Sequence, residues 1–313
     1  MKVLCLGMMV CDTILSPVPS DIMKLDCAPI DKPVLSCGGD ALNVAIGLAK
    51  LSCDVSIIGK IGKDANGGFI KRYCKDIGVD TSKVIESEEV TTACSYALID
   101  DEGERHFLSE ISVFNEFGKD DIDAEMVEGA DIVYVGSVMS MKKMDKEGIA
   151  DSFQKAHAHG AITIMDAAMN EKEQLDWNVE LKEAFLETDI FFPSLEEAKV
   201  LTGLEDPHEI VECFRKYRMK AMGIKLGGNG CFLTDFKTER YIDCPKGLPV
   251  VDTTGAGDSF MAGLICALVH QKDVFESARF ALAVATLNVG KKGGTSGIPN
   301  YEEAMRFYHN WSK

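Results

Sequence analysis

Short runs rich in valine, isoleucine, leucine and phenylalanine recur at residues 3–10, 55–58, 132–135, 162–165, 190–192 and 221–226. Near-continuous apolar runs of this length read as strands buried on both faces. Between them, apolar positions fall at helical spacing over 41–51, 145–159, 195–201 and 210–217. Strand alternating with helix is the signature of parallel βαβ construction. The pattern predicts a three-layer α/β/α sandwich around a mostly parallel central sheet.

Two segments break the rhythm. Residues 16–35 contain proline and lack helical periodicity, and 93–99 with 104–111 flank the turn Asp101-Glu102-Gly103, which reads as a β-hairpin. Together they form either a small β-lid standing off the main sheet, from about 14–36 and 91–113, or an ordinary surface hairpin; the pattern alone leaves both open. Past Gly255 long helices follow, over 256–270 and 275–289, with Ala281, Ala283 and Ala285 supplying small packing residues. A last helix over 301–311 begins after Pro299 with Asn300 as N-cap. No repeat, low-complexity tract or Ser/Gly-rich linker marks a boundary, so 1–313 reads as a single domain.

Composition narrows the function classes. With 46% hydrophobic and 27% charged residues the chain is of ordinary globular make-up. Its 50 acidic against 33 basic residues give a net charge of −17, a field that repels nucleic acid and anionic lipid. A small phosphate-bearing ligand remains compatible, because a local ring of backbone N–H groups holds an anion inside an acidic protein. Eleven cysteines, an odd number without a C-x-x-C pair, sit mostly in apolar stretches, as Cys5, Cys94, Cys231 and Cys266 do. They read as buried thiols of a reducing cytoplasm. The 3–10 run ends near Asp12 without an A-x-A-like cleavage site, so it is not read as a signal peptide. No run reaches the ~18 apolar residues of a membrane span.

The stretch Val250-Val251-Asp252-Thr253-Thr254-Gly255-Ala256-Gly257-Asp258-Ser259-Phe260 leads directly into an apolar helix. Gly255 and Gly257 allow a tight turn and close approach, and the N–H groups of Gly255, Ala256 and Gly257 would lie at the positive end of that helix. Asp258 is anomalous in such an anion cradle. It serves either as a helix cap or as the acceptor of a proton from an alcohol attacking a γ-phosphate. Other constellations fail: His157-Ala158-His159 has no third ligand, no G-x-S-x-G elbow or P-loop is present, and Gly255-x-Gly257 lacks the third glycine of a dinucleotide fingerprint.

Asp252-Thr253-Thr254-Gly255-Ala256-Gly257-Asp258 resembles the C-terminal signature of the ribokinase-like (PfkB) carbohydrate kinases. Gly38-Gly39-Asp40-Ala41-Leu42-Asn43-Val44-Ala45 resembles their N-terminal G-G-x-x-x-N-x-A pattern, and Lys225-Leu226-Gly227-Gly228-Asn229-Gly230 their K-L-G-x-x-G nucleotide segment. The similarity runs in order from Asp12 to Gly294.

The resemblance implies a ribokinase-like fold with a lid, and a set of roles. Asp258 would be the base and Gly255, Ala256 and Gly257 the anion hole, while Asp12, Gly38, Gly39 and Asn43 match sugar-contacting positions. On local pattern alone Asn43 reads equally as a helix-start cap and Gly38-Gly39 as a plain turn. Lys225, Gly227 and Gly230 would line the nucleotide pocket, with Leu282 and Ala285 against the adenine or, equally, in plain helix packing. Asp252 and Thr254, with backbone around Val289, Lys292 and Gly294, match a monovalent-cation site, hence potassium. The N-x-x-E motif that holds magnesium through water appears as Ser194-Leu195-Glu196-Glu197, with Ser194 in place of asparagine; Glu197 also reads as a first-turn acid after Ser194 as N-cap. The D-P-N stretch is replaced by Asp166-Ala167-Ala168-Met169.

The implied function is ATP-dependent phosphorylation of a hydroxyl of a small sugar or sugar acid. Asp40 in its motif is similar to the form in 2-keto-3-deoxygluconate kinases, while the layout equally resembles ribokinases and fructokinases. A nucleoside kinase of the same family and a catalytically inactive sugar-binding regulator are the alternatives. Phe107 and Tyr96 on the hairpin are expected to cap the sugar, and Arg105 is the cation that a phosphorylated sugar would meet. The apolar residues of 93–99 suggest a homodimer through the lids.

Overall fold

The pleat of the central sheet sends neighbouring residues to opposite faces, and the core divides accordingly. Val3 and Cys5 pack into one apolar cluster and Leu4 and Leu6 into another; Ile132 and Tyr134 part from Val133 and Val135 in the same way, as Ile190 does from Phe191. The computed structural model describes residues 1–168 and 175–311, so that Met169 lies outside the described residues. Its eight-stranded sheet runs in the order Glu239–Ile242, Cys231–Thr234, Ala221–Lys225, Ile190–Phe191, Ile162–Ala167, Ile132–Val138, Lys2–Leu6, Asp54–Ile58. The last six of these are parallel, with Lys2 opposite Asp54 and Val3 opposite Ile132. The first two pair antiparallel, an edge not expected from the sequence: Cys231–Thr234 is buried but only four residues long, and Glu239–Ile242 is largely exposed.

Helices cover both faces, as the three-layer expectation requires. Asp40–Lys50, Ala256–Val269, Val274–Asn288 and Tyr301–Trp311 bury residues in the first cluster; Ile149–Ala158, Leu195–Thr202 and Pro207–Phe214 bury theirs in the second. Local chemistry sets their starts. Asp273 accepts the Glu276 N–H, Asp206 precedes Pro207 and accepts the His208 N–H, and Asn300 accepts the Glu303 N–H. The helix expected at 145–159 opens with a π turn, Met144–Gly148, and the one expected at 210–217 begins at Pro207 and ends at Phe214. The Ala65–Ile77 helix is not among those expected from the sequence; its buried side is small, Gly67, Ile70 and Cys74.

The 3–10 run is two strands rather than one. Gly7, at φ 143°, breaks it, and a side chain there would crowd the Gly136 carbonyl at 2.7 Å. Beyond the break, Val10–Leu15 enters a second sheet, between Val34–Gly38 and the Cys94–Ile99/Arg105–Glu110 hairpin. Asp100 closes that hairpin by accepting the Glu102 and Glu104 N–H groups. The register places Ile14, Ala97 and Phe107 on one face and Thr13, Tyr96 and Leu108 on the other. Arg105, opposite Ile99, shares the face of Phe107. Tyr96 therefore does not stand beside Phe107 over one ligand, because adjacent positions on paired strands alternate.

Candidate active site

The carboxyl ends of parallel strands are where open α/β sheets place their ligands, and here they meet the starts of three helices. Gly39 at φ 90° and Gly255 at φ 69° turn the chain into Asp40–Lys50 and Ala256–Val269. These helices pack closely, since an added Cβ at Gly47 would lie 2.7 Å from the Ala262 methyl. Close packing brings Asn43 and Asp258, each in a first turn, face to face: Asn43 Nδ2 donates to Asp258 Oδ2 at 2.8 Å. Asn43 is buried, and its Oδ1 has no partner. A buried amide oxygen left unpaired is costly unless a ligand hydroxyl satisfies it.

Around Asp258 stand three more acids and one cation. Lys225, the last residue of Ala221–Lys225, donates to both oxygens of Asp166 at 2.7 Å, with side chains 14% and 4% exposed. Asp166, Asp40, Glu197, Lys225 and Asp258 line one cavity of about 300 Å³. Burial, then the charges of Asp40 and Asp166, push the Asp258 carboxyl well above the ordinary carboxylate range, against the Asn43 hydrogen bond and Lys225. Burial also lifts Asp40, opposed by Ser137 and Lys225. Burial raises Asp166 to about 7 despite Lys225. For Lys225 burial works against the charge, yet Asp166, Glu197 and Asp258 outweigh it and its pKa rises.

The Gly255–Gly257 turn is held from below. Side chains are barred at Gly255, where a Cβ would overlap the Gly294 carbonyl oxygen. Ser259 Oγ donates to the Gly255 carbonyl at 2.7 Å, and the buried Asn288 donates to the Gly294 carbonyl at 2.7 Å while accepting the Gly297 N–H. Asn288 and Ser259 carry no motif that the sequence reading recognised; their signal was only a polar residue inside an apolar helix. Beside the turn, Leu282, Ala285, Phe260, Gly227 and Gly230 line an apolar cavity of about 290 Å³. Gly230, at φ 91°, could not carry a side chain without overlapping the Ile242 carbonyl. Lys225, Gly227 and Gly257 line both cavities and form their common boundary.

Ser194 and Glu197 form a reciprocal cap: the Ser194 N–H donates to Glu197 Oε2 at 2.6 Å and the Glu197 N–H to Ser194 Oγ at 3.3 Å. The cap reading and the cavity position hold together. On the second sheet Asp12 packs against Gly38, and burial lifts its carboxyl to about 6. Phe107 is 62% exposed. Arg105 reaches from the hairpin to Thr254 Oγ1 at 3.2 Å and Asp252 Oδ1 at 3.4 Å. Asp252 also accepts from the Thr254 and Gly293 N–H groups; burial alone would raise it, but these donors and Arg105 hold it near 2. The Val289 carbonyl accepts the Val251 and Asp252 N–H groups, and Lys292 is exposed.

Comparison with known proteins agrees with this architecture. A family model described as pfkB family carbohydrate kinase matches residues 2–300. An ATP-dependent ribose-1-phosphate kinase of Halopiger xanaduensis is 30% identical over 261 residues, 83% of each chain. A ribokinase of Haemophilus influenzae is 28% identical over 283 residues, 87% of each chain. The crystal structure of a Xylella fastidiosa fructokinase with bound ATP superposes with a TM-score of 0.86 at 21% identity, covering 100% of this chain and 99% of that one.

Proposed function

The chain belongs to the pfkB family of carbohydrate kinases, and we propose that it transfers the γ-phosphoryl group of ATP to a hydroxyl of a small sugar or sugar acid, with Asp258 as the base. The observation that carries this reading is the Asn43–Asp258 pair beside the Gly255–Gly257 turn, where the two cavities meet. The apolar cavity suits an adenine against Leu282 and Ala285 with its phosphates directed past Gly227 toward Gly257. The acidic side suits the sugar, with Asp12, Gly38, Gly39 and the unpaired Asn43 oxygen taking its hydroxyls. The sugar O–H bond breaks with its proton passing to Asp258, an O–P bond forms, and the bond to ADP breaks with its electrons leaving on the β-phosphate oxygen. The N–H groups of Gly255 and Gly257 stabilise charge on the moving group, while the Ala256 N–H donates to the Thr253 carbonyl at 3.2 Å and holds the turn. The second sheet, with Phe107 on the site-facing side, excludes water, which is itself a competing nucleophile.

Among the described residues no three His, Cys, Asp or Glu side chains form a metal cage. A carboxylate on the cavity wall, as Glu197 supplies, fits magnesium, which takes most of its coordination from waters and phosphates. Glu197, held in place by Ser194, would hold it through water. When bound it would neutralise charge on the nucleotide phosphates. Activation by potassium rests on Asp252, Thr254 and the carbonyls of Val289 and Gly294. Carboxylate and carbonyl oxygens that accept a hydrogen bond keep further lone pairs for a cation, so exchange of potassium for a large inert cation is expected to lower kcat, and an unchanged kcat would remove the cation from the reaction.

Substrate choice is tested by ADP release over ribose, fructose, 2-keto-3-deoxygluconate, a nucleoside and ribose 1-phosphate. The kinase reading fails if binding is seen without turnover, as an inactive regulator would behave. Arg105 on the site-facing side of the hairpin, and a relative named as a ribose-1-phosphate kinase, favour a sugar that already carries a phosphate as the second reading. Leu35, Tyr96 and Leu108 are exposed on the outward face of the second sheet, and they support a homodimer through that face; a monomeric mass in sedimentation at micromolar concentration would rule it out.

A further inference from the structure

Resting on the kinase reading above, the geometry points to Lys225 as a catalytic cation that contacts the phosphoryl group in transfer, and to Asp166 as the residue that positions it. Among the described residues lining either cavity, Lys225 is the only cation. It stands on their boundary, where the group must pass on its way from the nucleotide to an alcohol beside Asp258. Its Nζ lies 3.4 Å from where a Gly257 Cβ would be, so the ammonium and the amide turn share one small volume that a side chain at position 257 would fill. Glycine there serves the approach of a charge as well as the turn.

An ammonium has three donors on a rotatable stem. Asp166 takes two directions at 2.7 Å and leaves the third for a phosphoryl oxygen. The Lys225 backbone is itself fixed, its N–H donating to the Pro193 carbonyl at 2.9 Å next to the Ser194 cap. Buried ion pairs contribute little stability in general, and apolar replacements are often neutral. A pair placed amid further acids at the mouth of the sheet therefore calls for a functional reason. Throughout the reaction Lys225 keeps its proton, and it stabilises charge without exchanging atoms.

The test uses Lys225→Met, Asp166→Asn and the double variant in the full-length protein, with kcat under saturating magnesium–ATP, the Kd of a non-hydrolysable ATP analogue, and Tm. Lys225→Met is expected to lower kcat by about 100-fold or more, the scale of losing a preorganised transition-state donor, with nucleotide Kd changed less than threefold. Because the single variant leaves Asp166 buried without its partner, the double variant is decisive. It should recover Tm while kcat stays about 100-fold down. Recovery of kcat to within tenfold of the native enzyme would show the pair to be structural and overturn the proposal. So would a rise in nucleotide KM with kcat unchanged. Native enzyme that turned over none of the sugars would instead overturn the kinase reading, and the inference with it.

Discussion

Replacing Asp258 by asparagine separates its charge from its shape. The amide keeps an oxygen for Asn43 Nδ2, so the 2.8 Å link and the helix contact beneath it persist. What disappears is a group able to take the proton of the alcohol, worth about 10²- to 10⁴-fold, or about 3–5 kcal/mol of barrier. The same change removes the repulsion from Asp40 and Asp166 that raises this carboxyl. The variant should therefore be as stable as the native protein or more so, which distinguishes lost chemistry from lost fold. The assay is coupled ADP release at saturating sugar and magnesium–ATP, with nucleotide binding by calorimetry and Tm alongside. Expected are a kcat down by at least about 100-fold, a Kd for the nucleotide within threefold, and an undiminished Tm. A rate above about a hundredth of the native value would place the base elsewhere. A lower Tm together with lost nucleotide binding would show Asp258 to be a structural cap.

Two further changes probe the frame of the site. Gly255→Ala forces a left-handed conformation at φ 69° and a clash with the Gly294 carbonyl, so Tm should fall by several degrees and kcat by about tenfold or more as the turn is displaced; unchanged values would mean that the turn is not held as described. Asp12→Asn removes a carboxyl whose folded-state pKa is raised from 3.8 to about 6. A raised acid contributes stability below its unfolded pKa and loses it as pH climbs through the folded value, so at pH 8 the variant should be more stable than the native protein by at most about 3 kcal/mol. That gap should close below about pH 4 in paired denaturant titrations, and a pH-independent gap would contradict the burial argument.

Much of the fold was legible because two-sided burial writes an unmistakable pattern: Ile132–Val138 is buried at every position, as its apolar run requires. What stayed hidden had weak contrast. The Ala65–Ile77 helix buries one isoleucine beside a glycine and a cysteine, and the Glu239–Ile242 edge faces water. The break at Gly7 depends on a close approach to Gly136, 129 residues away in the chain, which no local window registers. At the site, the glycine turns and Asp258 announce themselves because few local structures need those residue types together. Asp166 and Lys225 each stood out in a motif of its own, but their pairing could not be read, since they meet only where Ile162–Ala167 and Ala221–Lys225 flank the short Ile190–Phe191 strand. Arg105 was nominated for its charge, but its reach to Thr254 and Asp252 follows from hairpin register, as does the parting of Tyr96 from Phe107.

The acids around Asp258 are more than an electrostatic burden. A general base works best with a pKa near the operating pH, and an isolated exposed aspartate lies too low. Burial supplies part of the upward shift, and Asp40 and Asp166 supply more, while Lys225 and Asn43 restrain it. The acid limb of kcat/KM should then belong to the cluster as a whole rather than to one carboxyl. Asp40→Asn removes the like charge that raises Asp258 most; the ionised form of Asp258 becomes easier to reach, and the limb should move to lower pH with the alkaline side unaffected. If the limb stayed in place, the titration governing catalysis would lie on another group, and the case for Asp258 as the base would lose its electrostatic support.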